Sequence, residues 1–260
     1  MEPIRLRGHR GGIIIMHRSM AHFTLRPMNL ASAISLLLFF SAIWLVWLPR
    51  TCMLWRQILA AGIHYLPLHA NLLLAESHLA PRLTLEIPYL SMAPVPPSPL
   101  VWSLTCGVTV LLFAATYLFS NRWIPVVYLV RGALLVQVTA LAYFALFPAA
   151  FPHSPTSYME GLSTYGLALI SIVPCLFGLT YHIFDFGLPK KAFLTIVTMA
   201  HLTILLPFQI LLQGLVLQKT VLFMPILYIV FGVPLDVMAI VAFYAWGMSW
   251  RFRRGLKVTN

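Results

Sequence analysis

Six long apolar runs constrain this chain more than any motif it contains: Asn29 to Leu48, Val101 to Phe119, Ile124 to Phe147, Leu162 to Phe184, Ala192 to Leu217 and Val221 to Trp246. Each is long enough, at about 1.5 Å per helical residue, to cross a hydrocarbon core of about 30 Å. A soluble domain carries roughly 25% charged residues. This chain carries 9%, with 60% hydrophobic residues and a mean hydropathy of +0.89. The expected fold is therefore all-α: a polytopic membrane protein of about six spanning helices.

Charge sets the expected orientation. A formal charge of +11 would suggest nucleic acid as the partner of a soluble chain. In a membrane chain the distribution of basic residues is the informative quantity, and no nucleic-acid partner is expected. With six spans, Arg5, Arg7, Arg10, Arg18, Arg26, Arg122, Lys190, Lys191, Arg251, Arg253, Arg254 and Lys257 fall on one side. Arg50, Arg56, Arg82 and Lys219 fall on the other, and Arg131 lies within a span. The twelve-to-four division predicts cytoplasmic termini, as in a protein of a bacterial inner membrane.

The chain then divides into a basic N-terminal segment (1–28), a first span (29–49), an exported segment (50–100), a five-helix bundle (101–250) and a basic tail (251–260). The first apolar run is too long for the core of a cleavable signal peptide, and it carries Trp44 and Trp47 near its far end, as an interfacial belt requires. In the exported segment, Leu54 to Tyr65 and Leu68 to Leu79 read as two surface-lying amphipathic helices ended by Pro67 and Pro81. Leu83 to Ile87 alternates like a strand, and Met92 to Pro99 reads as a stiff linker. Cys52, Cys106 and Cys175 lack CxxC spacing and read as small apolar residues. His64, His69, His78, Glu76, Glu86, His153 and Glu160 share the exported side without an HExxH spacing, so they read as a solvated face, and neither a metal nor a cofactor is expected.

The residues that deserve testing lie inside the spans. Phe231-Gly-Val-Pro-Leu-Asp236 puts a carboxylate, a proline and a glycine in the middle of the last run, where an ionisable group must face protein or water. Thr198, His201, Gln209 and Gln213 fall on one arc of the fifth span, which Pro207 interrupts. Counting from the nearest basic anchor puts Arg131 at about 14 Å, His201 at about 15 Å and Asp236 at about 22 Å. These depths predict an intramembrane cluster of Arg131, His201, Asp236, Gln209 and Gln213, with Arg131 and Asp236 paired. At the cytoplasmic end of the fourth span, His182 and Asp185 have the spacing of a carboxylate-oriented imidazole.

No GxSxG, HExxH or phosphate-binding glycine loop accompanies these groups. The expected function is that of a noncatalytic subunit or scaffold in a larger membrane complex, in contact with lipids and a membrane-protein partner. The alternatives are a small proton-coupled transporter built on Arg131, His201 and Asp236, or a lipid-processing enzyme using the exported histidines or His182 and Asp185.

Overall fold

The computed structural model describes residues 27–80, 83–120, 123–147, 151–181 and 187–249. Helix α1 (Pro27–Tyr65) leads into a β-hairpin of β1 (Asn71–Ala80) and β2 (Leu83–Ser91). Helices α2 (Pro99–Ala115), α3 (Ile124–Leu146), α4 (Pro155–Thr180) and α5 (Leu188–Leu217) follow. A 3₁₀ turn at Val221–Phe223 then opens a last span, broken into α6 (Met224–Phe231) and α7 (Val233–Ser249). Among the described residues, five helical segments are long and apolar enough to cross a membrane; α2, with 17 residues, is a shorter apolar helix.

Prolines mark where these helices begin. Pro99, Pro125, Pro155, Pro189 and Pro225 each sit in a first turn, where a missing N–H costs nothing and a fixed φ suits the helix. Ser98 and Ser154 cap α2 and α4, their hydroxyl oxygens accepting from Val101 N at 3.3 Å and Ser157 N at 3.0 Å.

Two sequence expectations are corrected here. The first span does not stop at residue 49, because α1 runs through Pro49 to Tyr65 and absorbs the predicted helix Leu54 to Tyr65. Cys52, Trp55 and Leu59 continue the helical spacing on a buried face, and that packing offsets the hydrogen bond lost at Pro49. The second surface helix, Leu68 to Leu79, is replaced from Asn71 by strand β1, so the described residues are helical with one hairpin rather than all-α. Residues Leu72 to Ala75 have no strong strand preference of their own. Pairing with β2 supplies it, because Leu85 and Ile87 alternate with Glu86 and bury on the helices.

The hairpin is a fixed part of the bundle. Its strands pack on α1, α4 and α5. Leading into it, Gln218 of the α5 C-cap donates to Pro67 O at 2.9 Å and accepts from His69 N at 3.0 Å. Leading out of it, the Thr156 hydroxyl on α4 accepts from Met92 N at 3.2 Å and donates to Met92 O at 3.1 Å. Further on, Val221 N donates to Val95 O at 2.9 Å. Helices α4 and α5 form the centre, with Leu167, Ile170, Val173, Leu202 and Leu206 packed against Trp44, Leu48 and Trp55 of α1. Gly178 lets α4 approach α1 closely, since a Cβ there would lie 2.9 Å from Leu37 Cβ.

One contact explains how α5 tolerates an internal proline. Pro207 has no N–H, so the carbonyl of Thr203, four residues earlier, loses its helical donor. The indole Nε1 of Trp55, fully buried on α1, donates to that oxygen at 2.8 Å. Trp55→Phe should therefore destabilise the protein by about 1–3 kcal/mol through the stranded carbonyl, beyond any loss of packing. Pro207→Ala in the same chain returns an N–H to Thr203 O and should recover that part. Thermal unfolding of the single and double variants in detergent measures the recovery, and strictly additive losses would contradict it.

Candidate functional site

The polar interior is built where the last span breaks. Helix α6 ends at Phe231, and its carbonyl does not receive Leu235 N, which turns to Gly232 O at 3.0 Å. Gly232 is required by space, because a Cβ there would run into the backbone oxygen of Tyr228. The freed Phe231 oxygen instead accepts from Gln213 Nε2 of α5 at 2.5 Å. Gln213 in turn accepts, through Oε1, a short hydrogen bond from the Tyr158 hydroxyl of α4.

One helical turn away on α5, Gln209 reaches the other side of the break. Its Nε2 donates to Asp236 Oδ1 at 2.8 Å. Asp236 lies in the first turn of α7, where the positive end of the helix dipole favours a carboxylate. Gln209, Gln213 and Asp236 are buried, with no more than 4% exposure. The i, i+4 spacing of the two glutamines is therefore a clamp across the broken helix. Two buried acceptors in it lack partners among the described residues, Gln209 Oε1 and Asp236 Oδ2. A group that could satisfy both oxygens must bring a donor or a positive charge.

The structure does not bring the other two predicted members into this cluster. Arg131 Nε donates to the Thr116 hydroxyl at 3.0 Å, and its guanidinium stacks 4.5 Å from the Tyr117 ring centre. The His201 ring packs edge-on against Phe243, with centroids 5.1 Å apart. Equal depth in sequence says nothing about which helix faces which, and α3 turns Arg131 toward the end of α2. His182 and Asp185 lie outside the described residues. Among the described residues no three His, Cys, Asp or Glu side chains gather as metal ligands, and Cys52, Cys106 and Cys175 are free thiols.

Sequence reasoning missed Tyr158, because the predicted fourth span began only at Leu162. The available signal was Ser154-Pro155, a capping residue and a first-turn proline that start α4 earlier. Comparison of the chain with protein-family models, curated proteins and solved structures finds no match.

This geometry predicts that Asp236→Asn retains the bond from Gln209 and gives Gln209 Oε1 a donor. Its melting temperature in detergent should equal or exceed that of the parent. Asp236→Leu strands Gln209 Nε2 and should cost about 1–3 kcal/mol. Combining Asp236→Asn with Arg131→Gln should give additive changes within about 0.5 kcal/mol. A large coupling between those two sites would overturn the separation described here.

Proposed function

We propose that this chain is a noncatalytic subunit of a membrane complex, with α2 as a sixth span, both termini cytoplasmic, and the hairpin on the exported side of a bacterial inner membrane. The observation that carries this reading is the register of the hairpin. Glu76 stands directly opposite Glu86, and both side chains are exposed. Like charges facing each other across a strand pair destabilise it. The same hairpin exposes Leu73 (42%) and Leu74 (37%) on β1.

A two-stranded sheet also carries unpaired backbone groups along its outer edges, which lipid cannot satisfy. The occupant that answers all three features is an extended protein segment bearing Lys or Arg, laid along β1 with its basic groups toward Glu76 and Glu86. Internal tethers where the chain enters and leaves the hairpin support a surface held ready for such a partner.

A photo-crosslinker at position 74, followed by mild-detergent purification from the native membrane, tests this. The expected outcome is one stoichiometric crosslinked partner, reduced about tenfold or more when Glu76 and Glu86 are both changed to Lys. A chain that purifies alone, with position 74 freely labelled by an aqueous reagent and no response to charge reversal, would refute it.

The orphan oxygens of Gln209 and Asp236 favour a second reading, a proton- or cation-coupled transporter. Discontinuous helices with buried acceptors beside the break are a known way to hold a transported ion. Ion-dependent flux in proteoliposomes, abolished by Asp236→Asn at unchanged melting temperature, would favour it over the subunit reading.

A further inference from the structure

At the turn between α2 and α3, a cavity of about 200 Å³ is lined by Thr116, Tyr117, Ser120, Tyr128 and Arg131. Among the described residues that line it, Arg131 is the only cation and no carboxylate faces it. Its Nε donates to Thr116 Oγ1, whose own proton goes to Phe113 O at 2.7 Å. The guanidinium lies over Tyr117 at 4.5 Å and Phe113 at 6.0 Å. These contacts fix the plane of the group and leave both terminal nitrogens without a protein partner among the described residues.

The surroundings place this cation at the level of lipid headgroups. Tyr117, Phe119, Trp123 and Tyr128 are all more than half exposed around the turn. Aromatic side chains gather in this way where a span meets the interface. Arg131, roughly 10 Å into α3, extends back toward that end, as a long cationic side chain does to escape hydrocarbon. The cavity is smaller than the roughly 300–1,000 Å³ that encloses a whole drug-sized ligand, so it suits a headgroup.

The geometry points to a phosphate-binding site in which the Arg131 guanidinium takes two phosphate oxygens, with the Ser120, Tyr117 and Tyr128 hydroxyls lining the same cavity. A planar fork already fixed at Nε matches a phosphate bidentately, which a lysine ammonium does not. The phosphate belongs either to a membrane phospholipid or to a soluble phosphoester.

Native mass spectrometry of the full chain in detergent tests this with phosphatidylglycerol, with diacylglycerol of the same tails, and with inorganic phosphate. Phosphatidylglycerol should be retained, diacylglycerol should not, and Arg131→Gln should weaken retention about tenfold or more. Tyr117→Leu, which leaves the charge in place, should weaken it less. Arg131→Lys should recover only part of the binding if the fork is what recognises phosphate. Displacement of the lipid by millimolar inorganic phosphate would assign a soluble phosphoester as the source; lipid retained under that competition would assign the phospholipid. Equal retention of phosphatidylglycerol and diacylglycerol, retention unchanged in Arg131→Gln, or binding of neither lipid nor inorganic phosphate would overturn the proposal.

Discussion

A backbone carbonyl without a donor, buried away from water, costs several kcal/mol, and this bundle is assembled around carbonyls that its own prolines and glycines release. Pro207 releases Thr203 O, and Trp55 crosses from α1 to satisfy it. The break at Gly232 releases Phe231 O, and Gln213 crosses from α5 to satisfy that. Each repair joins two helices at one fixed depth and rotation. Apolar packing between spans is permissive in both respects, since lipid tails are as apolar as leucine. The hydrogen bonds specify how α1, α5 and α6 are set against one another.

The same logic explains the distribution of polar residues along α5. Thr198 returns its hydroxyl to Leu194 O at 2.8 Å, while Gln209 and Gln213 reach outward to the broken span. One stripe thus serves two purposes. Thr198 satisfies its own helix, and the two glutamines hold a neighbour whose ladder is interrupted. Tyr158 extends the set to α4, so α4, α5 and the broken last span meet at one polar knot. Gln209 Oε1 and Asp236 Oδ2 of that knot have no hydrogen-bond partner among the described residues, as is true also of the buried Gln137 amide and Ser163 hydroxyl elsewhere in the bundle.

Much of this was legible in the sequence. Run lengths gave the long helices to within a few residues, except at α4, which starts seven residues early, and α1, which runs on past Pro49. The proline in α5 signalled a carbonyl in need of a donor, although nothing in the chain order named Trp55 as that donor. The polar stripe correctly announced a protein-facing side, and it contained both glutamines of the clamp. Depth arithmetic failed for Arg131 and His201, because distance along a helix fixes height but not azimuth. Strand β1 was hidden for a different reason: Asn71 to Ala80 reads equally well as an amphipathic helix, and its pairing with β2 is a tertiary choice.

Helix α1 sets a constraint that bears on the whole molecule. Its 39 residues extend about 58 Å, and a tilt of about 40° would still leave about 45 Å along the membrane normal, beyond a core of about 30 Å. Part of it must leave the hydrocarbon, and the half carrying exposed Arg50, Arg56, Gln57 and His64 is the half suited to do so. The hairpin with Glu76 and Glu86 belongs to that half, since the turn at Pro67 brings the chain back toward it. Helix α5 runs beside the same half, as the contacts of Trp55 with Thr203 and of Gly62 with Leu211 require. Yet α5 exposes Ile204 (56%), Phe208 (55%) and Leu212 (50%) at that level. Water suits the hairpin and opposes this apolar face, whereas lipid suits the face and opposes the hairpin. A flat bilayer boundary cannot serve both at one height. A second protein could, by offering basic groups to the hairpin and apolar side chains to α5, and that mismatch adds to the hairpin register as support for the proposed subunit.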